Sequence, residues 1–307
     1  MRRRCDLATR AAVARGFTLI ELIAVMVITA VAAGTTAVFL RLPLAQYTDA
    51  ERRASIADAA DTAFARMKRD LQRALPNSVR VTSVGSVYYL EFLSLRTAGR
   101  YRADLPSAVP ATGATTCPDA DGDNLANDNV LQFGVADTCF TTIGAIADFS
   151  AVDPNWDWLV VYNLGPGFTN ADAYASGNAT GGNKSRITGR TSGSGGEDVI
   201  QFQSNTFNLE SPGHRFHVVF GPVTYACDPT AGTLSRFGNY TISAAQPTPP
   251  AGGSALLAKD LNGCTITYDQ NVNNQRMGVV SIALRFNDTG GAGTVNLFQQ
   301  IQVSNEP

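Results

Sequence analysis

Arg15 to Leu40 reads RGFTLIELIAVMVITAVAAGTTAVFL. From Phe17 it is a 24-residue apolar run whose only charge is Glu21. That length spans a hydrocarbon core with room for tilt. A cleaved secretory signal does not fit, because the run is too long and no small-residue cleavage site follows it before a polar domain. A plain anchor fits the length but has no use for Glu21. A charge well inside an apolar span costs roughly 2.5–3.5 kcal/mol on insertion scales, and less where it can snorkel from near one end. Such a carboxylate needs a cationic partner, and the span contains no Lys or Arg.

Upstream, residues 1–16 hold Arg2, Arg3, Arg4, Arg10 and Arg15 against Asp6. The whole chain carries −2 over 307 residues, which argues against a nucleic-acid partner. Without the first 16 residues the balance is 19 basic against 25 acidic, or −6. A basic head before an acidic body gives a cytoplasmic N-terminus and an exterior C-terminal part.

RGFTLIEL, Arg15 to Leu22, resembles the class III signal of type IV prepilins and pseudopilins. The resemblance implies a leader of residues 1–16, cleavage by a prepilin peptidase between Gly16 and Phe17, and methylation of the new Phe17 amine. It also implies that Glu21 neutralises the Phe17 amine of a neighbouring subunit during assembly, which would favour a fixed axial stagger. The expected partners are the peptidase, other major and minor pilins through the N-terminal helix, and an inner-membrane assembly platform. The expected location is the bacterial inner membrane, single-pass, and then a filament. Ala65–Val81, Gly99–Ala103, Gly221–Asp228 and the ending LFQQIQVSNEP resemble MshO-type minor pilins of the MSHA pilus system. Those are related to the J-type pseudopilins of type II secretion. That resemblance implies a low-abundance subunit that primes or caps a filament.

Beyond the span, residues 41–75 continue the helix. Ile56, Ala60, Ala63, Phe64, Met67, Leu71 and Leu75 recur at three- and four-residue steps, which places them on one face, with Arg52, Arg66, Arg69 and Arg73 left to solvent. A helix from Phe17 to Leu75 would be roughly 88 Å long at 1.5 Å per residue. Pro43 either kinks it or divides it in two. Pro76 ends it. After that the period becomes alternating. Candidate strands are Ser78–Val84, Val87–Leu95, Val130–Phe133, Trp156–Asn163, Asp198–Gln203, Arg215–Phe220, Pro222–Cys227, Cys264–Tyr268, Met277–Phe286 and Thr294–Val303. Asn287–Gly291 reads as a hairpin turn between the last two. Gly165–Glu197 and Ala244–Gly253 read as surface loops, the former mobile. The fold class is therefore α+β: a long N-terminal helix, its first half transmembrane, packed on one mostly antiparallel domain over residues 76–307.

Cys117, Cys139, Cys227 and Cys264 lie in this Gly- and Asn-rich body, and no C-x-x-C pair suggests zinc. Two disulfides in an oxidising compartment follow. Spacing favours Cys117–Cys139 and Cys227–Cys264 among three possible pairings. Asp119, Asp121 and Asp123 alternate as calcium-loop oxygens do, but Asn124 replaces the expected glycine and Val130 the terminal glutamate. They read first as a polar turn and second as a calcium site, which is the one cofactor candidate. GNATGGNK, Gly177 to Lys184, misses a phosphate loop because Asn183 stands where lysine is needed. His214 and His217 fall on opposite faces of a strand, and Trp156 and Trp158 on one face. No acid–base, metal or nucleophile constellation supports an enzyme. An assembly subunit is expected, and a tip adhesin using the Gly165–Glu197 region is the alternative.

Overall fold

A computed structural model describes residues 16–103, 117, 130–175, 181–192, 196–272, 276–288 and 293–307. Two compact units divide the chain, Met1–Ala54 and Ser55–Pro307. One helix, α1 (Leu19–Leu71), is assigned without interruption through Pro43. It stops four residues short of the expected Leu75. There the backbone leaves the helix to pair with strand residues: Leu75 N–H donates to Leu93 O at 2.7 Å, and Leu95 N–H donates to Arg73 O at 2.8 Å. Pro76 then sits beyond the end, where its missing donor costs nothing.

The body's strands are β1 (Arg80–Val84), β2 (Val87–Arg100), β3 (Asp137–Thr141), β4 (Trp158–Val161), β5 (Lys184–Ser192), β6 (Asp198–Asn205), β7 (Arg215–Asp228), β8 (Thr233–Gly238) and β9 (Gly253–Lys259). These nine form one antiparallel sheet, in the order β1-β2-β7-β4-β5-β6-β3, with β8 joining β7 and β9 joining β8. A second sheet has the order β10 (Leu261–Val272), β11 (Met277–Asp288) and β12 (Gly293–Ser304).

Strand β7 is the spine. One side pairs with β2 along its length, from Arg215 opposite Arg100 to Cys227 opposite Tyr88. The other side is shared: Phe216–Val219 pairs with β4, and Thr224–Asp228 pairs with β8. The expected pair of strands, Arg215–Phe220 and Pro222–Cys227, is thus one. Gly221 takes φ 152°, and register shifts in β2 around Leu95 absorb the irregularity, so the ladder runs through.

Each half of β7 serves its own core. Val223, Tyr225 and Cys227 face Ala60, Ala63, Phe64, Met67 and Leu71 of the helix, together with Ile266, Val280, Ile282, Leu284 and Ile301 of the small sheet. Phe216 and Val218 instead join Phe140, Leu159, Ile187, Ile200, Phe202 and Phe207 in a second core without the helix.

Two sequence expectations need correction here. Gly165–Glu197 is not one surface loop, because it contains β5, paired to β4 and β6, with Ile187 fully buried. The glycines and serines flanking KSRITGRTS hid its β-branched centre. Val130–Phe133 is not a strand. Phe133 makes a single parallel bridge to Phe207, and Leu131 is buried in the second core. The Ala244–Gly253 stretch is a loop up to the start of β9, as expected, and the chain at its start holds down β1: Arg80 donates to the carbonyls of Ser243 and Ala244 at 2.9 and 2.7 Å.

Buried ionic groups fix the elements to one another. Asp70 of the helix accepts from Tyr225 Oη at 2.8 Å and Arg236 Nε at 2.7 Å. Glu91 is 1% exposed and takes Arg80 Nη2 at 2.6 Å. Burial pushes its carboxyl upward against the pull of Arg80. Asp157 is fully buried and takes Arg96 through two nitrogens, at 2.5 and 3.0 Å.

Candidate assembly segment

Gly16, Phe17 and Thr18 precede the helix. Thr18 caps it: the Glu21 N–H donates to Thr18 Oγ1 at 3.3 Å, and the Leu22 N–H donates to Thr18 O at 3.1 Å. Thr18 and Glu21 thus stand at the N-cap and third positions, the T-x-x-E spacing of a capping box. Glu21 is thus more than an intramembrane charge, because TLIE also marks the helix start. Glu21 is the acidic residue of the first turn, at the positive end of the helix dipole.

Leu19–Phe39 is a 21-residue apolar span of mean hydropathy 2.3, with none of it buried against protein. Its polar side chains are satisfied within the helix. Thr29 Oγ1 donates to Val25 O at 2.8 Å, and Thr35 and Thr36 donate to Ala32 O at 3.0 and 2.7 Å. These back-bonds let threonine sit in hydrocarbon without an orphaned hydroxyl. Glu21 has no such internal answer: among the described residues no ion pair reaches it. Phe17 is 80% exposed. Among the described residues, a Cβ at Gly16 would meet nothing within 4 Å.

The cysteines form Cys117–Cys139 and Cys227–Cys264. The second joins β7 to β10, so it links the two sheets. Asp119, Asp121 and Asp123 lie outside the described residues. The phosphate-loop resemblance ends at Lys184, which is buried and donates from Nζ to Ala173 O at 2.8 Å and to Ala175 O. His214 stacks on Tyr101, whereas His217 is buried in β7 with Nδ1 lacking a described partner. Trp158 is covered by Arg186, whose guanidinium carbon sits 3.9 Å from the ring centre. No group of three or more His, Cys, Asp or Glu suited to a metal occurs among the described residues.

A long apolar N-terminal helix followed by a mostly antiparallel β body is an α+β, pilin-like layout. Residues 12–37 match the family model described as the prokaryotic N-terminal methylation motif, which supports a type IV pilin-like prepilin signal. No curated protein and no solved structure matches the chain. The motif implies processing by prepilin peptidase and assembly with other pilins, and with the apolar helix it fits membrane anchoring.

Proposed function

We propose that the chain is a non-enzymatic filament subunit, cut between Gly16 and Phe17, methylated at Phe17, and assembled through Glu21. The observation that carries this is a bare apolar helix with one carboxylate that no described ion pair reaches, just after a glycine with open space around it among the described residues. Cleavage releases a cationic amine at Phe17. Glu21 of an adjacent subunit can meet it in a medium where an unpaired charge is costly. Helix–helix packing then buries the exposed apolar residues, and Gly34, open within 4 Å, allows close approach.

The test is mass spectrometry of native material together with two variants. The mature chain should begin at a singly methylated Phe17. Gly16→Trp should leave an uncut, membrane-retained precursor. Glu21→Ala should be cut but fail in assembly or methylation. A different first residue, or normal filaments from both variants, defeats the proposal.

The finer role we favour is an MSHA-type minor pilin that primes or caps a filament. It rests on the resemblance of Ala65–Val81, Gly99–Ala103, Gly221–Asp228 and the C-terminal segment. A J-type pseudopilin is the alternative within the class. The 165–197 region supports an adhesive role less well than it supports the body's fold, because its centre is a sheet strand.

A further inference from the structure

An unpaired sheet edge is a template for another strand, and proteins usually blunt such edges. Most edges in this body are treated in that way. β1 has five residues and is held under the 243–246 segment by Arg80 and by Thr82 Oγ1, 2.7 Å from Gln246 Oε1. β3 has five residues and is tied by the Cys117–Cys139 disulfide. β10 has two register shifts, and the Cys227–Cys264 disulfide ties it to β7. β9 has seven residues, a register shift against β8, and a terminal lysine.

β12 has none of these devices. Its 12 residues, GTVNLFQQIQVS, contain no charge and no proline. They pair with β11 over twelve successive positions without a register shift. Among the described residues no strand lies on its other side. One side-chain row is anchored in the core by Ile301 and Val303, 2% exposed each. The opposite row is Thr294, Asn296, Phe298, Gln300 and Gln302, and Phe298 is 64% exposed. Beside it a shallow groove of about 400 Å³ is floored by the small residues Ala283 and Thr265.

This edge is complementary to itself. Two copies set antiparallel with Phe298 opposite Phe298 bring Asn296 opposite Gln300 and Thr294 opposite Gln302. Aromatic and amide or hydroxyl cross-strand pairs of this kind are favourable, and no like charges oppose one another. We infer that β12 is a docking edge for the β12 of a second copy, joining two three-stranded sheets into one of six strands centred on Phe298. Such an isologous contact closes on itself, so it is not the repeating contact of a filament. The inference concerns the body and is independent of the N-terminal proposal.

The test uses the full chain in detergent, with Cys5→Ser and the four body cysteines left in their disulfides. Directly opposed residues place their Cα atoms about 4.5–5.5 Å apart, within disulfide reach. Phe298→Cys should therefore give a linked dimer under mild oxidation. Thr294 residues of the two copies would lie about 27 Å apart at ~3.4 Å per residue, so Thr294→Cys alone should give on the order of tenfold less dimer. Mixing Thr294→Cys with Gln302→Cys chains should restore linkage. Phe298→Lys should convert dimer to monomer in light scattering without changing the melting temperature. Absent linkage at 298, or equal linkage at 294 and 298, overturns the inference. N-terminal mass spectrometry of the same samples reports separately on processing.

Discussion

Asp70 joins helix to sheet through the Tyr225 hydroxyl and Arg236. Both donors are partly withdrawn from solvent, so losing their acceptor costs more than the bond alone. Asp70→Ala is expected to destabilise the body by about 1–3 kcal/mol in urea melts, with Asp70→Asn intermediate. No change in midpoint would mean that apolar packing alone docks the helix. Two buried bases give a pH signature. Burial, helped by Arg215, lowers His217 to about 4. Between about 6.5 and 4 the unfolded chain therefore binds a proton that the folded chain does not, so this group makes stability fall as pH drops through that window. Burial also lowers Lys184 to about 8. The folded chain gives up that proton first, so stability should rise with pH from about 8 towards 10. The rise ends where buried tyrosines act the other way: Tyr101 is raised to about 12, and Tyr225 and Tyr240 upward, chiefly by burial. Above about 10 the unfolded chain ionises first and stability falls. Denaturation midpoints of His217→Gln and Lys184→Met, measured from pH 4 to 10, should each lose one of the two slopes. Unchanged slopes in both variants would refute the assignment.

At the scale of elements, the helix face and the apolar span were legible because each obeys one strong period. Met67 and Leu71 came out of the three- and four-residue spacing and are buried at 0% and 1%. Strand β5 was not legible, because Lys184 stands at a buried position where alternation calls for an apolar side chain. Its amine is answered by two carbonyls distant from the strand's own pattern. The short strands β8 and β9 were missed because they carry few alternating apolar residues, and β9 lies largely exposed. Of the candidate site, RGFTLIEL is readable in the sequence, whereas the T-x-x-E cap within it is overshadowed by the apolar run it opens. The helix face predicts a cost. Met67→Ala leaves a cavity between helix and both sheets and should destabilise by about 2–5 kcal/mol in urea melts. The Cys227→Ser/Cys264→Ser pair frees one sheet from the other and should cost about 2–5 kcal/mol. If reduction alone leaves the midpoint unmoved, the sheet-to-sheet core is sufficient without the bridge.

At the scale of the whole chain, burial is distributed unevenly. Among the described residues the buried clusters belong to Ser55–Pro307, and the side chains of Leu19–Phe39 are exposed. The apolar side chains that form the body's cores come from Ser55–Pro307, and an exposed apolar surface such as that of Leu19–Phe39 suits lipid or other helices. A chain beginning at Ser55 tests this. Ser55 would become the N-cap of the remaining helix, with Asp58 at the third helical position, a favourable residue for the positive end of the dipole. The truncated chain should stay soluble without detergent, keep both disulfides, and unfold in one cooperative transition at nearly the midpoint of the full chain's body. Restoring residues 17–54 should return the protein to the detergent or membrane fraction without moving that midpoint. A truncated chain that binds hydrophobic dyes and melts without a cooperative transition would show that the body depends on the apolar unit for its fold.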